Sequence, residues 1–172
     1  MTSWPMITTH WLSVSLPLMV IPTIVLIIVI AVSPETFRSD WPVDIQRHMA
    51  QPTSADRRNA TIAGLVFLVT LLSTMLVSAV LFALQVDSSF WLVLLSTIIA
   101  CLTFLILDLV VVDWLVICWW QPKWILILGT EHCAGWNDYR FHAQVLAQPK
   151  VIGVNLLIPL IITTMVWLVV GL

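Results

Sequence analysis

Residues 107–115 read LDLVVVDWL and lie inside the longest apolar run of the chain. Two carboxylates, Asp108 and Asp113, interrupt this run. A carboxylate at the centre of a membrane helix costs about 2.5–3.5 kcal/mol on insertion scales, and such residues by default indicate functional sites. The stretch therefore predicts a membrane-spanning helix that carries a candidate site near one end.

The composition is typical of a membrane protein. Of the 172 residues, 60% are hydrophobic and only 9% are charged, whereas soluble domains carry about 25% charged residues. The net charge of −2 disfavours nucleic acid as a partner, because surfaces that bind nucleic acid are basic. We therefore expect the lipid bilayer to surround this chain.

Four apolar stretches are long enough to cross a bilayer, which requires about 20 residues. They cover residues 12–32, 62–84, 90–118 and 149–172, and residues 1–10 are expected to form a short polar segment before the first of them. The third stretch is longer than the bilayer is thick, so its helix must tilt or project. The sequence predicts an all-α fold, a four-helix transmembrane bundle that forms a single domain over residues 1–172.

The basic residues predict the orientation of this bundle. All seven Lys and Arg residues lie in or beside two long loops, residues 33–61 and 119–148. The short connection between the second and third stretches has none, and neither do the termini. By the positive-inside rule, both long loops are cytoplasmic and both termini lie outside.

The acidic stretch and the second long loop supply the candidate site residues. In an ideal α-helix Asp108 and Asp113 project about 140° apart, so we expect Asp108 to face the bundle and Asp113 to meet the loop. Cys101 precedes Asp108 by seven residues and should lie on nearly the same face. The loop adds five polar groups that can converge with the two acids at the inner membrane surface: Lys123, Glu131, Asp138, Arg140 and His142.

This convergence has two interpretations. In the first, Asp108, Glu131 and His142 are acid–base groups of an enzyme, and the other members form a polar cluster around them. In the second, the cations of the loop pair with its carboxylates and those of the helix, which fixes the loop in place. His132 and Cys133 have zinc-binding side chains, but no second spaced pair of ligands accompanies them. The sequence therefore predicts no metal site, and it names no cofactor.

The same residues resemble the pattern of an uncharacterised family of small bacterial four-span integral membrane proteins. The matching pieces are Asp108-Leu109, Asp113-Trp114-Leu115, Pro122-Lys123, Gly129-Thr130-Glu131 and Asp138-Tyr139 with Phe141-His142. The first long loop is also similar to the family over residues 40–45. The resemblance implies the same topology and a place in the bacterial cytoplasmic (inner) membrane, N-out and C-out. It implies no activity.

Three functions stay open at this point, and whether the chain is an enzyme stays open with them. The first is a non-catalytic accessory subunit of a larger membrane complex, partnered by other membrane subunits or by further copies of itself. The second is a membrane-embedded enzyme that acts on a lipid or amphiphile at the cytoplasmic face. The third is a small proton- or ion-coupled carrier that uses Asp108.

Overall fold

The computed structural model describes residues 4–85 and 89–170. Within these ranges most of the chain is helical and no β-strand occurs, which confirms the predicted all-α bundle. Four helices are long and apolar enough to span a membrane, and we call them the first to fourth spans: Trp4–Val32, Ser54–Gln85, Phe90–Trp120 and Pro149–Val170. The chain is therefore a polytopic membrane protein.

The first span begins at Trp4, eight residues earlier than predicted. His10 is buried in the bundle, where its ring packs edge-on against Phe82 at a centroid distance of 5.0 Å. The His10 Nε2 lies 3.3 Å from the Ser78 hydroxyl, which lies 2.9 Å from the hydroxyl of Ser15. These contacts satisfy His10 Nε2 and the two hydroxyls inside the bundle. The helix therefore continues through a segment whose polarity predicted a position outside the bundle. The predicted polar segment was therefore wrong for the part that the structure describes.

The second span begins at Ser54, whereas residue 62 was predicted. The residue before it, Thr53, and Asp56 form a reciprocal cap. The Thr53 backbone N–H donates to Asp56 Oδ2 at 2.8 Å, and the Asp56 N–H donates to Thr53 Oγ1 at 3.2 Å. This arrangement satisfies N–H groups that have no partner inside the helix, so two polar and exposed turns precede the apolar part of the span.

The third span changes its hydrogen-bonding pattern where its sequence becomes acidic. Phe90–Leu107 is α-helical, whereas Asp108–Trp120 is a π-helix. In a π-helix each hydrogen bond joins residues five apart instead of four, and the wider turn brings residues five apart closer to one face than in an α-helix. Gln121 ends the segment with a left-handed backbone, at a φ of 47°.

The two long loops dock on each other at one end of the bundle, which we call the loop end. The first loop contains a 3-10 helix, Pro34–Asp40, and a short α-helix, Val43–His48. The second contains a 3-10 helix, Ala134–Asn137, and an α-helix, Tyr139–Leu146. The buried rings of Trp41 and Trp136 join the loops at a centroid distance of 5.2 Å. The docked loops form a folded layer across the loop end, and we call it the loop layer.

Candidate functional site

A cavity of about 340 Å³ lies between the spans and extends to the loop layer. Apolar side chains from all four spans form its walls, among them Leu26, Leu71, Phe104 and Ile158. Small-molecule sites usually have volumes of about 300–1,000 Å³, so this cavity is at the small end of that range. Its walls suit one hydrocarbon chain or a comparable apolar group.

Four polar side chains line the cavity beside the loop layer. We call them the polar end of the cavity. Asp108 and Asp113 come from the π-helical segment, Asp40 from the first loop and His142 from the Tyr139–Leu146 helix. An α-helix would place Asp108 and Asp113 about 140° apart, but the π-helix brings them to one side. Both acids therefore line one cavity, and Asp113 also meets the loop, as predicted.

His142 and Asp113 lie within ion-pair distance of each other at this polar end. His142 Nδ1 lies 3.1 Å from Asp113 Oδ1. The His142 side chain is buried, and its Nε2 has no hydrogen-bond partner among the residues that the structure describes. Because buried polar atoms are normally bonded, this Nε2 is available to a group that enters the cavity.

The helix that carries His142 is fixed at its start. Asp138 caps it by accepting a hydrogen bond from the Phe141 N–H at 2.9 Å. Trp114 Nε1 in the third span donates to the Tyr139 carbonyl at 3.2 Å. Asp138 thus positions the histidine from outside the cavity instead of joining the polar end.

Asp108 has an unusual environment for a carboxylate in an apolar span. It is half-buried, and within the described ranges its oxygens make no hydrogen bond or ion pair. Its ionisable neighbours are Asp113, His142 and Asp40. No Lys or Arg is found among the described residues that line the cavity. Ionised carboxylates would therefore give the polar end an excess of negative charge.

Cys101 and Asn155 also line the cavity. The Cys101 thiol lies 3.2 Å from Asn155 Oδ1, and Asn155 Nδ2 donates to the Val151 carbonyl at 2.8 Å. Cys101 and Asp108 line the same cavity, as their seven-residue spacing predicts. Sequence reasoning did not include Asn155 or Asp40 in the site. The signal for Asn155 was available, since it is an amide inside an apolar stretch.

Besides Asp138, three predicted site residues lie outside the cavity. Lys123, Glu131 and Arg140 are exposed, and none of them lines the cavity. Backbone hydrogen bonds, foremost from its own amide, hold the pKa of the Glu131 carboxyl below its usual value. Neither Lys123 nor Arg140 has an ion pair within the described part of the chain. The alternative in which the loop cations pair with carboxylates is therefore not observed.

The polar end offers acid–base chemistry, because an imidazole and nearby carboxylates can exchange protons with a bound molecule. Among the described residues, one group of His, Cys or acidic side chains is close enough to share a metal ion, and it lies in the loop layer instead of the cavity. The resemblance to a four-span bacterial family stays a prediction. No protein-family model, curated protein or solved structure matches this chain.

Proposed function

We propose that this polytopic membrane protein is an enzyme that binds an amphiphile in the cavity and exchanges protons with its polar group. The observation that carries this proposal is one apolar cavity that ends at Asp108, Asp113 and His142. A molecule with an apolar chain and a polar head would match both parts of this cavity at once. We place the polar end on the cytoplasmic side of the membrane, on the basis of the Lys and Arg distribution. The bacterial inner membrane is implied by the family resemblance alone.

The charges at the polar end favour an amine or a hydroxyl as the head group. Asp40, Asp108 and Asp113 line the cavity without a neighbouring Lys or Arg. A phosphate or carboxylate would face like charges, which disfavour binding. An ammonium or hydroxyl group can instead donate a hydrogen bond to Asp108, whose oxygens have no described partner.

His142 is the general base in this proposal. When its Nδ1–H donates to Asp113, Nε2 is the basic nitrogen of the ring. Nε2 is also the atom that lacks a described partner. The Asp113 carboxylate holds the ring in this tautomer and stabilises the imidazolium that forms when Nε2 accepts a proton. Asp108 binds the head group and holds it near Nε2.

Binding measurements on purified protein in lipid nanodiscs test this proposal. The probes are a fluorescent single-chain alkyl amine and the same chain with a phosphate head. A hydrogen bond to a charged group contributes about 1.5–3 kcal/mol, so Asp108→Asn should weaken amine binding by roughly 10- to 100-fold. Glu131→Gln is the matched control, because it removes a carboxylate outside the cavity. Equal affinities for both heads, or an unchanged affinity in Asp108→Asn, would contradict the proposal.

A variant of His142 separates binding from turnover. In this proposal His142→Ala removes the base, so turnover of an amine or hydroxyl amphiphile should be lost while binding is largely retained. A carrier would use the same cavity without chemical change of its cargo. The test is flux of the amphiphile into liposomes. If this flux depends on protons, is abolished by Asp108→Asn and leaves the amphiphile chemically unchanged, the cavity belongs to a carrier.

An accessory subunit is the second candidate, and the outward faces of two spans support it. In the most apolar stretches of the second and fourth spans, only 28% and 22% of the residues, respectively, are buried inside the chain. These faces can meet either lipid or the helices of other subunits. Purification in a mild detergent followed by native mass measurement tests this candidate. A defined complex whose activity is unchanged by Asp108→Asn would support a subunit role and oppose catalysis at the cavity.

A further inference from the structure

Three metal-binding side chains meet in the loop layer, although they come from different loops. His48 ends the short helix of the first loop, and His132 and Cys133 are neighbours in the second. One nitrogen from each imidazole and the thiol sulfur all lie within 4.8 Å of one another. The two imidazole rings meet edge to face, with centroids 4.8 Å apart.

We propose that His48, His132 and Cys133 bind a zinc ion that fastens the two long loops together. Zinc prefers thiolate and imidazole ligands, at about 2.3 Å to sulfur and about 2.0–2.1 Å to nitrogen. At tetrahedral angles these bond lengths separate sulfur from nitrogen by about 3.5 Å. Cys133 Sγ lies 3.5 Å from His48 Nδ1, so the pair already has the spacing that one zinc ion requires.

The surroundings hold these ligands in place before any ion binds. An Asp44 carboxylate oxygen accepts the Gly135 N–H at 2.8 Å, which joins the first loop to the second two residues after Cys133. The Asp44 carbonyl oxygen lies 2.8 Å from His48 Nδ1 and 3.7 Å from Cys133 Sγ. The ligand spacing is therefore set by the docking of the loops, and the ion has to displace the hydrogen bond that the His48 Nδ1–H donates to the Asp44 carbonyl.

Exposure and proton balance are also consistent with a zinc site. His48 and His132 are exposed, whereas Cys133 is buried. The exposed histidines give the ion a path from solvent, and a water molecule can occupy its fourth coordination position. Zinc binding releases the thiol proton of Cys133 to solvent. The proton that His48 Nδ1 donates to the Asp44 carbonyl is exchanged through solvent for one on Nε2, so that Nδ1 can bind the ion. One proton therefore leaves for each zinc ion bound.

Metal binding to tag-free protein, first stripped with a chelator, tests this inference. We expect one zinc ion per chain by elemental analysis after dialysis, and a sulfur-to-cobalt charge-transfer band when Co²⁺ replaces zinc. His132→Ala and Cys133→Ser should each reduce bound zinc to background. Cys118→Ala is the matched control, because it removes a buried cysteine of the third span and should keep the full zinc content. Equal zinc content in all four proteins would indicate an adventitious ion only and overturn the inference, as would zinc-free wild type.

Protection of wild-type Cys133 from alkylation gives a second measurement that does not depend on the folding of a variant. Maleimide labelling of the peptide that contains Cys133 should slow when Zn²⁺ is added and stay unchanged with Mg²⁺. Labelling that is insensitive to Zn²⁺ would overturn the inference. Because this site is separate from the cavity, its failure would leave the proposed amphiphile site standing.

Discussion

Gly135→Ala is the substitution that most directly tests how the loops are docked. A Cβ atom at residue 135 would lie 2.6 Å from Pro42 Cβ and closer still to an oxygen of Asp44, whereas ordinary contacts begin near 3.4 Å. The Pro42 ring cannot bend away. The Asp44 carboxylate can move only by leaving the Gly135 N–H, which it accepts at 2.8 Å.

The expected loss of docking free energy follows from these two contacts. Overpacking costs about 1–3 kcal/mol, and the loss of a hydrogen bond to a charged group costs about 1.5–3 kcal/mol. A combined loss of about 3 kcal/mol would raise the fraction of undocked loops by roughly 100-fold. Gly153→Ala is the matched control, because a Cβ atom there meets no other atom within 4 Å.

Maleimide labelling of Cys133 in zinc-free buffer measures this change. Cys133 is buried when the loops are docked, so its labelling rate reports the undocked fraction. The rate should rise by roughly 100-fold in Gly135→Ala and should stay within about threefold of wild type in Gly153→Ala. An unchanged rate in Gly135→Ala would refute the described contact between the two loops.

Three further predictions concern the cavity and the loop layer. Leu71→Trp places a larger side chain in the cavity wall and should weaken binding of a long-chain amine more than binding of a short-chain amine in nanodisc titrations. Val69→Trp on the outer face of the same span should change neither. Asp138→Ala removes the cap of the helix that carries His142 and should cost about 1 kcal/mol, seen as faster hydrogen exchange over residues 139–146; exchange equal to wild type would contradict the cap. Burial and two nearby carboxylates raise the pKa of the Cys133 thiol. Without zinc, the docked state of the loops should therefore keep its full stability below the ordinary thiol pKa of about 8.5 and lose stability as pH rises through the raised value. A pH profile of the maleimide labelling rate with its midpoint at the ordinary thiol pKa would contradict this.

The spans were predictable because lipid imposes a simple requirement, an apolar stretch of sufficient length in which every backbone group is bonded. That requirement also explains the errors at the helix starts. His10 and the turns before residue 62 are polar, so hydropathy alone ends the helix at them. The Ser78 contact of His10 and the Thr53 cap then let the helix continue.

The polar end was only partly predictable, because its geometry depends on the path of the backbone. Asp108 stands out as an acid in an apolar run, but the sequence does not show the change to π-helical hydrogen bonds that turns Asp113 to the same side. Glu131 is close to His142 along the chain, yet the fold of the loop leaves it outside the cavity. Within this loop, closeness along the sequence did not predict which side chains line the cavity.

The three proposed zinc ligands could not be predicted from their spacing in the sequence. His132 and Cys133 are adjacent, but the third ligand, His48, is 84 residues earlier in the other long loop. Sequence patterns for zinc rely on ligands at short and regular intervals. Here the docking of two loops, through contacts such as Asp44 with Gly135, replaces that regular spacing.

Photoaffinity labelling tests the central claim, that the cavity holds an amphiphile, most directly. A single-chain alkyl amine with a diazirine in its chain would be crosslinked in nanodiscs, with and without excess unlabelled amine. The account predicts labelling of Leu71 and Phe104 in the cavity wall that the competitor suppresses. Val69 and Ile106 point outward, with 60% and 62% of their surfaces exposed, and should show only labelling that the competitor leaves unchanged. Competitor-sensitive labelling confined to those outward faces, with none in the cavity wall, would contradict the account.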